Sequence, residues 1–128
     1  LSINRDMATY SNLTIDQGST FDFTVDLDNI STGADSVLTG YSGVGSIRKT
    51  YSSTTRTASF TIVGTTSGAS TFTTDDKGIK VSLTAADTAA IKAGRYVYDI
   101  EIRKSPTVTR VLEGQVEITP RVTLSTET

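Results

Sequence analysis

From Leu13 onward, apolar residues fall on alternate positions in short runs separated by turn-forming residues. Leu13 and Ile15 lead into Asp16-Gln17-Gly18-Ser19, so a first strand ends near Asp16. Phe21, Phe23, Val25 and Leu27 then recur with a period of two, and Asp22, Thr24, Asp26 and Asp28 fill the other face. That is the pattern of a strand with one buried side. Val44 and the run 47–51 predict a third strand, in which Gly43 and Gly45 permit a bulge or a close approach. Ala58, Phe60 and Ile62 predict a fourth strand before Gly64; Ile79, Val81 and Leu83 predict a fifth after Gly78. The polar run 29–43, with Val37, Leu38 and Tyr41, is expected to be a long connection tacked to the core. The Ser/Thr-rich run 65–76 is expected to be a loop or weak strand around Phe72.

Thr84-Ala85-Ala86-Asp87 matches a capping box with Asp in place of Glu, and good helix formers continue to Ala93 before Gly94. One or two helical turns should therefore join two strands. Beyond them, Tyr96, Tyr98, Ile100 and Ile102 face one way, as do Leu112, Gly114, Val116 and Ile118 in the following run. These two runs predict a hairpin. A one-residue slip would put Glu113 and Glu117 into the core, so the register must join even positions to even positions, across a loop of odd length. Pairing Ile102 with Leu112 leaves Ser105 to Thr109 as the loop; a shorter loop at Pro106 sets Tyr98 opposite Gly114. In either register Gly114 makes room for a large neighbour.

About seven short strands, one helical turn before the penultimate strand and a final hairpin predict an all-β, immunoglobulin-like antiparallel β-sandwich over residues 13–118. Its core should hold Phe21, Phe23, Val25, Leu27, Ile47, Phe60, Ile62, Val81, Leu83, Tyr96, Tyr98, Ile100, Ile102, Leu112, Val116 and Ile118. Residues 1–12 and 119–128 lack periodicity but keep isolated anchors, namely Ile3, Met7, Tyr10, Val122 and Leu124, and are expected to be arms. Ordering such a segment costs about 1–2 kcal/mol per residue, which so few side chains repay only in a partner's groove or along an exposed sheet edge.

Composition narrows the chemistry. At 128 residues, with 36% hydrophobics, the chain has material for one core. Ser and Thr together make up about 30% of it, a bias toward strands and turns. The absence of Cys removes disulfides and thiolate nucleophiles, and the absence of His removes the commonest general base and transition-metal ligand. With a net charge of −2 and interspersed signs, no nucleic-acid or anionic-membrane partner is expected. Neither a membrane span nor a signal peptide is visible.

The segment Ile91-Lys-Ala-Gly94-Arg-Tyr96 resembles the corner of immunoglobulin and fibronectin type III domains, which implies a Tyr96 hydroxyl bonded back to nearby backbone. The paired Cys and the Trp of antibody domains are absent. A wider likeness runs from Leu13 to Val122, through Gly18-x-Thr20-Phe21, Leu38-Thr-Gly-Tyr41, Ile47-Arg48-Lys49, Leu83-Thr-Ala-Ala-Asp-Thr, Ala93-Gly-Arg-Tyr-Val-Tyr-Asp99 and Leu112-Glu-Gly114. In order and spacing these resemble a module of tailed-bacteriophage structural proteins, including the N-terminal domains of baseplate proteins. The resemblance implies a non-enzymatic component of the virion, in the tail, baseplate or head. Such a component is present in multiple copies in a symmetric assembly, docks onto other virion proteins and has no cofactor.

Individual residues offer further candidates. Arg48, Lys49, Arg103 and Lys104, with Arg110, are expected to gather at one end of the sandwich as a patch for a carboxylate-bearing surface, against the plainer alternative of solvated ends paired with Glu101 and Glu113. Asp26, Asp28 and Asp35 suggest a calcium loop, but their spacing matches no EF-hand and alternate Asp residues suit a solvated strand face. Asp75 and Asp76 read as a turn in preference to a glycosidase pair. The alternatives are capsid-surface decoration and a carbohydrate-binding or adhesion domain; the latter requires an exposed aromatic platform, for which Tyr41, Tyr51 and Phe72 are the candidates. The glycosylation sequons at Asn12 and Asn29 arise readily by chance in a Ser/Thr-rich chain, and Gly40, Gly43 and Gly45 lack the spacing of a nucleotide fingerprint.

Overall fold

The computed structural model describes residues 9–26, 38–73 and 76–122. Its strands are β1 (Thr9–Tyr10), β2 (Leu13–Asp16), β3 (Phe21–Asp26), β4 (Ser42–Arg48), β5 (Ala58–Ser59), β6 (Thr61–Gly64), β7 (Gly78–Leu83), β8 (Gly94–Lys104) and β9 (Thr107–Thr119). One helix, α1 (Ala85–Ala89), stands between β7 and β8. The larger sheet runs β1-β9-β8-β4-β5, with β2 also paired to β9, and the smaller runs β3-β7-β6. The order β9-β8-β4 facing β3-β7-β6 is the G-F-C and B-E-D arrangement of an immunoglobulin-like sandwich. The all-β two-sheet architecture is therefore the one predicted by alternation.

The core lies between the sheets. Val25, Ile47, Phe60, Ile62, Val81, Leu83, Tyr96, Tyr98, Ile100, Ile102, Leu112, Val116 and Ile118 are buried there as predicted, joined by Ile15, Leu38, Phe72, Ile79, Ile91 and Val111. Phe21 and Phe23 are only partly buried: they lie on β3, an edge strand of the smaller sheet among the described residues, and stack edge to face at 5.6 Å. Leu27 lies outside the described residues.

Three features depart from the simple antiparallel scheme. First, β1 and β2 pair with β9 in parallel, Thr9 opposite Leu112 and Leu13 opposite Val116, in one continuous register. The strand is broken only at Ser11-Asn12, and pairing begins inside the segment expected to be an arm. Gly114 makes the break possible. A Cβ there would collide with the Ser11 backbone, so its room is filled by main chain and not by the large side chain anticipated. Ser11 N–H donates to Glu113 O at 2.8 Å, and the Tyr98 hydroxyl donates to Ser11 O at 2.6 Å.

Second, the expected fourth strand changes sheets at Phe60. Ala58 and Ser59 pair with β4, whereas Thr61 to Gly64 pair with β7. The Phe60 ring is left between the layers, edge to face with Tyr98. Gly43 and Gly45 serve this crossing by close approach and not by a bulge: the β4-β8 register is unbroken, and Cβ atoms at the two glycines would strike Ile62 and Phe60.

Third, the terminal hairpin holds Tyr98 opposite Gly114 and Ile100 opposite Leu112, then slips so that Glu101 faces Arg110 and Lys104 faces Thr107. The slip is a bulge at Val111, which turns into the core beside Leu112. It lets an even, two-residue turn, Ser105-Pro106 with a cis peptide bond, close strands whose main register demands an odd one.

The predicted corner is present. The capping box joins Thr84 and Asp87, and the Tyr96 hydroxyl donates to Lys92 O at 2.7 Å. The buried Thr88 hydroxyl donates to Ser19 O and accepts from Gly18 N–H, which pins α1 to the β2-β3 turn.

Candidate functional site

Alternation sends one residue of every pair on β4, β8 and β9 to the outer face of the larger sheet. Across its middle, register places Glu113 opposite Asp99 and Asp99 opposite Ser46, with Tyr10 beside Glu113 at the β1 edge. Two carboxylates directly opposite each other repel, and Arg110 bridges them. Its Nε lies 3.5 Å from Asp99 and its Nη1 3.1 Å from Glu113. The bulge at Val111 is what returns Arg110 to this face, because without the extra residue its side chain would fall on the opposite side.

Burial, followed by the nearby Glu101 and Glu113 carboxylates, holds the Asp99 carboxyl above its ordinary value, with Arg110 and Arg48 offsetting part of the effect. Ser46, Arg48, Thr50, Tyr51, Asp99, Arg110 and Glu113 line a groove here of about 170 Å³. Arg48 closes β4, and its Nη1 is fully buried with no hydrogen-bond partner among the described residues. Tyr51 is 69% exposed, and Tyr10, 57% exposed, stands near enough to influence its hydroxyl electrostatically.

The expected basic patch is not assembled. Arg48 pairs with Val97 near one end of β8, while Arg103 and Lys104 occupy the other end. Lys49 Nζ sits 4.8 Å above the Tyr96 ring, whereas Lys104 lies 5.9 Å from the Tyr41 ring and donates to Thr39 O. Arg103 is bound to Glu101 at 2.7 Å. The eleven residues of β8 separate the two groups, because opposite ends of one strand do not converge.

The aromatic platform also differs from its prediction. Phe72 is buried, Tyr41 is half-buried, and only Tyr51 of the three is exposed. Its neighbour is Tyr10, which sequence reasoning had assigned to an arm. Glu113 was expected only as an ion-pair partner of the basic residues, and Asp99 was not singled out; the register that sets Tyr98 opposite Gly114 carries the signal that pairs the two.

Asp76 is fully buried and structural. It accepts hydrogen bonds from the backbone N–H groups of Thr66, Ser67 and Thr73 and from the Ser67 hydroxyl. Burial alone would raise its pKa, but these donors outweigh it and hold the carboxyl down to about 2. Gly64 leaves the space that the carboxylate fills. Of the other proposed sites, Val122 is 94% exposed, whereas Ile3, Met7, Leu124, Asp28, Asp35 and Asp75 lie outside the described residues.

No protein-family model matches the chain, and no curated protein is significantly similar to it.

Proposed function

We propose that this chain is a non-enzymatic structural module that docks onto neighbouring proteins, and that it does so in a tailed-phage virion, the setting its strand and turn motifs resemble. The observation that supports the docking role is where the chain enters and leaves the sandwich. Pairing starts at Thr9 beside Leu112, toward the hairpin half of β9, and ends at Thr119. At roughly 3.3 Å per residue, these points are more than about 20 Å apart along one strand. The chain thus joins the paired region at mid-sheet and leaves it at the far end of β9, two separate points of one rigid body from which different neighbours are within reach. Fold alone does not choose among tail, baseplate and head, and the virion setting itself rests on the resemblance.

The test is truncation outside the paired region. Removing residues 1–8, and in a second variant residues 123–128, is expected to leave the thermal midpoint unchanged while at least one truncation abolishes incorporation into assembled particles. Normal incorporation of both variants, or unfolding of the domain by either, overturns the proposal.

A further inference from the structure

The groove on the outer face combines features that a purely structural sheet surface does not need. A guanidinium nitrogen of Arg48 is buried without a partner among the described residues, although leaving a buried donor unpaired costs about 1–3 kcal/mol. Two guanidinium groups, Arg48 and Arg110, face two carboxylates, Asp99 and Glu113, so the walls carry both donors and acceptors and no net charge. Two exposed tyrosines stand at the rim, one lining the groove and one beside it.

We infer that this groove binds a neutral sugar ring. The inference does not depend on the virion setting. A sugar hydroxyl both donates and accepts, so it can meet a guanidinium and a carboxylate of this lining at once. An anion would meet Asp99 and Glu113, and a cation would meet Arg48 and Arg110. The apolar face of a pyranose suits an exposed phenol ring, and small-ligand sites commonly join aromatic walls to a few placed polar groups. A second copy of the chain fits less well, because Val44 and Val97 are the only apolar residues that β4 and β8 present on this face, whereas homodimer interfaces are about 65% apolar.

The test is an amide-resolved NMR titration of the full chain with methyl α-D-glucoside, methyl β-D-galactoside and N-acetylglucosamine, in parallel with dextran. At least one monosaccharide is expected to shift amides confined to residues 46–51, 97–99 and 110–113, with a millimolar Kd. Tyr51→Ala, at an exposed position, should keep the melting midpoint and weaken binding about tenfold or more, as should Arg48→Ala. Tighter binding per ring to dextran assigns a surface glycan as the source, equal binding a free saccharide, and either upholds the inference. It is overturned by no shift with any probe, by shifts that survive Tyr51→Ala, or by sugar-independent, concentration-dependent shifts on this face, which would assign it to self-association.

Discussion

Asp76 shows how much one side chain can organise. The loop 65–73 has few apolar anchors, and its N–H groups converge on a single buried carboxylate. Asp76→Asn keeps the volume but loses acceptor strength and charge, and is expected to lower stability by about 1–3 kcal/mol in chemical denaturation. The dependence on pH has a definite sign. The folded carboxyl, at about 2, lies below its ordinary value of 3.8, so its stabilisation is complete above that ordinary value and is lost as pH falls from about 4 toward 2. The gap in melting midpoint between the parent and Asp76→Asn should therefore be widest near neutrality and shrink below pH 4; a gap independent of pH would contradict this role. None of it was legible in the sequence, where Asp75-Asp76-Lys77-Gly78 looks like an ordinary turn. The donors sit three to ten residues away, and only the tertiary path of the loop brings them together.

Among the elements, those governed by local chemistry were legible and those governed by their neighbours were not. The capping box, the short helix, Gly94 and the Tyr96 corner follow from residues within a dozen positions of one another, and all are present. Tyr96→Phe, which removes one hydroxyl and leaves the ring packed, should cost about 1 kcal/mol, seen as a lower urea midpoint at constant slope. An unchanged midpoint would mean that the corner bond contributes nothing net. The parity argument for the hairpin holds from Gly94 to Ile100, where even positions face even ones, and its odd loop length failed for an identifiable reason. It assumed one register throughout, whereas Val111 is apolar enough to turn inward beside Leu112 and absorb the extra residue. The same bulge completes the groove by setting Arg110 between Asp99 and Glu113, so a misjudged loop and an unseen site share one cause. The two halves of the fourth strand were also fused in the sequence analysis, because alternation continues smoothly through the point where the chain changes sheets.

For the molecule as a whole, two-residue alternation was sufficient to predict two layers around a single core. It could not reveal the direction of the first strand, since four residues alternate identically whichever way they run. Gly114 tethers that strand by letting the Ser11 backbone sit against β9. Gly114→Ala is expected to abolish hydrogen-exchange protection at Ser11 and to lower it across residues 13–16, while the β3-β7-β6 sheet stays protected. Uniform loss over both sheets would instead mean that the strand is integral to global folding. The parallel arrangement also has a mechanical consequence. Tension applied at Thr9 and Thr119 drags two adjacent strands lengthwise past each other, so the bonds of β1 and β2 to β9 are loaded in shear and must fail together instead of unzipping one after another. A body threaded in this way resists stretching between these two points far better than peeling at its sides, a property suited to a part that must transmit force along a line.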